Sequence, residues 1–63
     1  MPGDDTWRKD HLKLQAWFLA LSEEPEKGKV IRGYIKLREH AHSLGIYDLD
    51  WAIEQAIQRA KRR

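Results

Sequence analysis

The sequence predicts an all-α fold, in which one compact three-helix unit is completed by dimerisation. Three stretches place apolar residues at the helical spacing of three and four, and Pro and Gly separate these stretches. Strict alternation of apolar and polar residues, the pattern of a half-buried strand, does not occur in the sequence. The length of 63 residues suits a single domain that spans residues 1–63.

The expectation of a dimer follows from the small size of the chain. A domain of this length removes only about 60% of its unfolded surface from water, which leaves little stability to spare. The sequence has no Cys, so no disulfide can supply the difference. Association with a second copy or with a helical protein partner is the remaining common way to bury more apolar surface.

The first helix is predicted over about residues 6–22, with Asp5 or Thr6 as its N-cap. Apolar side chains fall on two opposite faces of this helix at about 100° per residue, whereas a surface helix needs only one such face. We therefore expect helix 1 to lie at the centre of the three-helix unit and its second face to meet a partner. The helical wheel alone does not decide which face is internal. The first face carries Trp7, Leu14, Phe18 and Leu21, and the second carries Leu12, Ala16 and Leu19.

The second helix is predicted over about residues 28–44. Pro25 disfavours helical geometry at the residue before it and so separates the first two helices. Gly33 falls inside the second helix, where Gly costs about 1 kcal/mol relative to Ala, and this indicates the close approach of another helix. Gly45 follows the last apolar position, as expected of a left-handed C-cap.

The third helix is predicted over about residues 49–61, with Asp48 or Asp50 as its N-cap. Its wheel sends Trp51 outward, and an exposed Trp serves either as an anchor of a protein interface or as a stacking platform for nucleic-acid bases. The alternative is that Trp51 folds back over neighbouring residues of the same chain. The residues predicted to form a protein interface are Leu12, Ala16, Leu19 and Trp51.

Catalysis, cofactor binding and metal binding are not expected. The sequence has no Cys nucleophile, and its two Ser residues lie at predicted helix ends without a nearby base. The Gly residues do not follow the pattern of a phosphate-binding loop. His40 and His42 are two residues apart on a helix, so they point about 200° away from each other and cannot share one ion. We therefore expect neither an enzyme nor a small-molecule substrate.

A nucleic-acid-binding regulator is the alternative function. The stretch from Tyr34 to the C-terminus resembles a helix-turn-helix motif in degenerate form, which implies that the start of helix 3 would enter the major groove. The carboxylates of Asp48, Asp50 and Glu54 would then face DNA phosphates and base edges, which is electrostatically unfavourable. Basic residues at the C-terminus either complement the helix dipole or contact phosphate non-specifically. These basic residues are Arg59, Lys61, Arg62 and Arg63.

Charge and hydropathy give weaker guidance than the helix pattern. The 12 Lys and Arg against 10 Asp and Glu leave a formal charge of +2, too small to indicate nucleic-acid binding by overall charge. No apolar run reaches the length of about 18 residues that a membrane span needs, so we expect a cytoplasmic protein without a membrane partner. The leading expectation is a small non-enzymatic interaction module, of regulatory or adaptor type, that associates with itself through helix 1.

Overall fold

The computed structural model describes residues 2–62, with the side chains of residues 7–62, and these residues form three helices. The helices are α1 (Pro2–Ser22), α2 (Lys27–Ser43) and α3 (Asp50–Lys61). No strand occurs among the described residues, so the predicted all-α fold with three helices is confirmed. None of these helices combines the length and the apolar character that crossing a lipid bilayer requires.

The first helix begins at Pro2 rather than near Thr6. Pro suits the first position of a helix, because that position needs no N–H donor and the ring already holds a helical φ. The predicted capping by Asp5 or Thr6 concerns side chains that lie outside the described part of the chain, and Met1 and Arg63 lie outside it altogether.

The central helix is α2, which packs against both of its neighbours, whereas α1 and α3 scarcely meet. The prediction that helix 1 is central is therefore wrong. The reason lies in the distribution of apolar residues: those of α2 form one wide face that serves both neighbours, whereas those of α1 are divided between two faces. Leu14 is the residue of α1 that is fully buried among the described side chains. The buried core consists of Leu14, Val30, Tyr34, Leu37, Ala41, Ile46, Ile53, Ile57 and Ala60.

The close approach predicted at Gly33 is present between α1 and α2. The side chain of Leu21 lies over Gly33, and a Cβ at Gly33 would collide with Leu21 Cδ2 and lie 3.2 Å from Leu21 Cγ. The two helices run antiparallel, because the Phe18 ring also packs at a tilt against the Tyr34 ring, 5.1 Å away, and the Trp17 ring lies 6.0 Å from that of His40. Gly33 therefore lets Leu21 enter the surface of α2.

Gly45 ends α2 with the left-handed backbone that the sequence predicts. Its φ is +77°, the one positive φ among the described residues. The N–H of Gly45 donates to the His42 carbonyl at 3.0 Å, and the N–H of Ile46 donates to the Ala41 carbonyl at 2.9 Å. These two bonds form a Schellman motif, which satisfies free carbonyls of the last turn. The motif also turns the chain so that Ile46 enters the core beside Ala41.

Replacing Gly33 by Ala tests the contact between the Leu21 side chain and the surface of α2 at Gly33. Gly33→Ala gains helix propensity of about 1 kcal/mol but displaces Leu21, and such overpacking costs about 1 to 3 kcal/mol, so we expect a net loss of stability. In a Leu21→Ala background the same substitution should raise the free energy of unfolding, because the obstruction is gone. Urea unfolding of the four proteins gives this cycle. Equal effects of Gly33→Ala in both backgrounds would show that the two residues do not meet.

Replacing Gly45 by Ala tests the helix stop. An L side chain in the left-handed region costs about 1 to 2 kcal/mol, and we expect Gly45→Ala to lower the free energy of unfolding by that amount. The matched control is Gly28→Ala in α2, where an added Cβ meets only Arg32 Nη2, at 3.9 Å. Urea denaturation should show the control to be neutral or stabilising. A Gly45→Ala protein as stable as the unmodified chain would contradict this role.

Candidate protein-interaction surface

The second apolar face of α1 lies on the protein surface. Leu12 is 57% exposed and Leu19 is 64% exposed, and Ala16 between them is exposed as well. We call these three residues the α1 stripe. Leu14, only 1% exposed, occupies the other face of the helix and packs into the core with α2. The first face is thus the internal one, and the rest of the described chain leaves the α1 stripe largely uncovered.

The first face is not buried along its whole length. Trp7, which the helical wheel places on the same face as Leu14, is 49% exposed and packs on the His11 ring of its own helix at 4.8 Å. His11 in turn contacts Asp48, in the connection between α2 and α3, which places that part of α1 near the end of the three-helix body. The helical wheel assigns a direction to Trp7, but a neighbouring helix is needed to cover it.

A groove separates α1 from α3, because both helices pack on α2 and scarcely on each other. A pocket of about 230 Å³ occupies one part of this groove, and a pocket of about 360 Å³ adjoins it and shares the side chains of Phe18 and Ala52. Tyr34 and Val30 of α2 contribute to the larger pocket. The smaller pocket is lined by Gln15, Phe18, Leu19, Leu49 and Ala52.

The groove was not predicted from the sequence. Ala52 and Ala56 of α3 line the groove, whereas Ala60, near the end of the same helix, is buried in the core. The feature of the sequence that relates to the groove is the small size of these Ala side chains. Small side chains permit a close neighbour, but the sequence does not say that the neighbour is absent from the same chain.

Trp51 lies at the edge of the same groove. It is 75% exposed and lines the larger pocket together with Gln55 and Arg59. Packing within the chain therefore buries little of Trp51, in contrast to the alternative in which it folds back over its neighbours. Because Leu19 lines the smaller pocket, the groove links the α1 stripe to Trp51. Two of the predicted interface residues, Leu19 and Trp51, thus border the same groove.

Two His–Asp pairs fix the start of α3 against the other helices. The Nε2–H of His11 donates to Asp48 Oδ2 at 2.8 Å, and the Gln15 amide donates to His11 Nδ1 at 3.0 Å. The Nε2–H of His42 donates to Asp50 Oδ1 at 2.7 Å. Each His–Asp bond joins α1 or α2 to the segment where α3 begins. The two bonds together hold the three helices at that end.

The predicted capping role of Asp48 and Asp50 is therefore wrong. The N-cap of α3 is Leu49, and no side chain bonds to the free N–H groups there. Both carboxylates instead accept hydrogen bonds from imidazoles of other helices, a competition that the local sequence pattern cannot reveal. Asp50 still lies in the first turn, where a negative charge is favoured by the helix dipole.

The two neighbouring His residues on α2 face different partners, as their spacing predicts. His40 lies beside the Trp17 ring of α1. His42 bonds to Asp50 and packs at a tilt against the Tyr47 ring, 4.9 Å away. Among the described residues, no group of three His, Asp or Glu side chains is arranged to hold a metal ion.

The basic residues at the end of α3 do not share one face. Arg59 lines the groove, whereas Lys61 follows two residues later and points about 200° away from it. Lys61 and Arg62 are exposed, and Arg63 lies outside the described residues. At the start of the same helix, Glu54 approaches Arg38 of α2 at 3.5 Å, so the acidic character of this end is partly balanced within the chain.

Comparisons of the chain with models of protein families, with curated proteins and with solved structures find no match.

Removing the Trp51 side chain should leave the fold intact. Because Trp51 is 75% exposed, we expect Trp51→Ala to change the free energy of unfolding by less than about 0.5 kcal/mol. The matched core substitution, Leu14→Ala, should cost about 2 to 5 kcal/mol. Urea denaturation of dilute protein measures both. A loss of stability on Trp51→Ala comparable to that on Leu14→Ala would show that Trp51 is a core residue.

Proposed function

We propose that this chain is a small non-enzymatic interaction module that acts through a helical surface and associates with itself through α1. The observation that supports the proposal most strongly is the exposure of Leu12 and Leu19 on a helix whose other face is already occupied by the core. Two large aliphatic side chains on one exposed helix face are what an interface with another helix requires. Ala16 between them leaves room for the backbone of a second helix.

The expected strength of this association is modest. Burying four Leu side chains, two from each copy, contributes at most roughly 6 to 12 kcal/mol to a dimer. Association costs an estimated 4 to 15 kcal/mol in lost translational and rotational freedom, so the α1 stripe alone gives a weak complex. The groove beside the stripe, with Trp51 at its edge, offers further apolar surface. We therefore expect association in the micromolar range rather than a permanent dimer.

Charge substitution within the α1 stripe tests the proposal. The pair Leu12→Asp and Leu19→Asp should convert the associated form to monomer, because each buried carboxylate would lack a partner. Both side chains are exposed in the single chain, so the helical circular dichroism spectrum should persist. Sedimentation equilibrium at high micromolar concentration measures the association state.

The matched control for this test is Ala20→Asp, which adds a carboxylate to an exposed position about 100° around α1 from Leu19. The control should keep the association state of the unmodified chain. A monodisperse monomer of the unmodified chain at high micromolar concentration would exclude self-association.

A salt titration distinguishes the proposed self-association from nucleic-acid binding. Phosphate contact by Arg59, Lys61, Arg62 and Arg63 would lose affinity steeply between about 50 and 200 mM salt, whereas an apolar helix interface should change little. We expect self-association that depends far less on salt than phosphate contact does, and no retention on mixed DNA. Salt-sensitive retention on DNA that disappears when Lys61 to Arg63 are deleted would favour the alternative function.

A further inference from the structure

We propose that the partner of the α1 stripe is a second copy of the chain whose α1 runs antiparallel, in a register that places Leu12 of each copy opposite Leu19 of the other. This inference rests on the function proposed above and adds the orientation and the contacts of the dimer. It follows from the spacing of the stripe, from two flanking charges and from the pocket beside Leu19.

The spacing of the α1 stripe suits a two-fold axis. In an antiparallel pair centred between Gln15 and Ala16, each Leu12 meets a Leu19 and the two Ala16 residues lie beside the axis. Ala16 carries the smallest side chain of the stripe at the point where the helices approach most closely. The same surface thus serves both copies, as a closed two-fold dimer requires.

The charges at the two ends of the stripe favour the antiparallel orientation. In this register Arg8 lies opposite Glu23, once at each end of the interface, since Glu23 continues the last turn of α1 through its bond to the Ala20 carbonyl. Both residues are exposed, and neither forms an ion pair within the described part of the chain. A parallel pair would instead place Arg8 beside Arg8 and Glu23 beside Glu23, which like charges oppose.

The pocket beside Leu19 gives each Leu12 a place to insert. This pocket of about 230 Å³ lies between Leu19 of α1 and the side chains of Leu49 and Ala52. Leu12 of the second copy lies opposite Leu19 and therefore at the mouth of the pocket. The two-fold axis repeats the insertion, so both pockets fill at once and the interface extends from α1 to the start of α3.

Cysteine cross-linking tests the orientation directly, because the chain has no Cys of its own. Ala16→Cys should form a disulfide-linked dimer in a glutathione redox buffer. Leu12→Cys alone should not, since the two copies of that position lie about 10 Å apart along the helix axis in the antiparallel pair. A mixture of Leu12→Cys and Leu19→Cys proteins should give the mixed disulfide. Lys13→Cys, exposed and off the stripe, is the negative control.

Exchanging the two charges tests the Arg8–Glu23 pairs at the ends of the α1 stripe. Arg8→Glu and Glu23→Arg should each weaken dimerisation about tenfold, because two attractive contacts per dimer become repulsive. The double variant, Arg8→Glu with Glu23→Arg, should recover the affinity of the unmodified chain. Lys13→Glu changes the net charge by the same amount as Arg8→Glu but lies off the stripe, and should have little effect.

The outcomes separate the orientation from self-association itself. Efficient self-cross-linking of Leu12→Cys, or no recovery in the charge-exchanged double variant, would overturn the antiparallel dimer while leaving an association through α1 in place. A chain that stays monomeric in sedimentation and forms none of the disulfides would overturn both proposals.

Discussion

The packing of α1 and α3 on one central helix, without closure on each other, is the constraint on which the rest of the structure depends. A chain of this length provides one helix, α2, to cover both others. Its wide apolar face receives Leu14 from α1 and Ile53 and Ile57 from α3, and this completes the core. The groove between α1 and α3 and the exposed stripe on α1 are both consequences of that arrangement. Surface that a fourth helix would cover in a larger bundle remains open.

Two local features keep α1 and α3 in place on α2. At one end, Gly33 admits Leu21, which fixes how closely α1 approaches. At the other end, imidazole–carboxylate bonds from His11 and His42 hold the start of α3, after the left-handed turn at Gly45 has reversed the chain. These contacts lie outside the α1 stripe, so the stripe is available to a partner without loss of the internal packing.

The sequence predicts local structure well and relations between helices less well. Residue spacing and backbone chemistry within a few residues predict the number of helices and the second apolar face of α1. They also predict the left-handed backbone of Gly45 and the close helix approach at Gly33. The central position of α2 cannot be predicted in this way. A helical wheel gives the direction of each side chain but does not show which helix packs against both of the others. The sequence also does not predict the hydrogen-bond partners of Asp48 and Asp50. These partners are the imidazoles of His11 and His42, which lie on other helices and take the place of local capping.

In the proposed dimer, the α1 stripe, which is open within one chain, is covered by a second copy. Methyl NMR spectra recorded on dilution test it most directly, since they report each Leu side chain separately in the unmodified protein. The methyl signals of Leu12 and Leu19 should shift between millimolar and low micromolar concentration, while those of Leu14, buried within the chain, stay constant. Leu12 and Leu19 signals that keep the same position over the whole dilution range would contradict the claim.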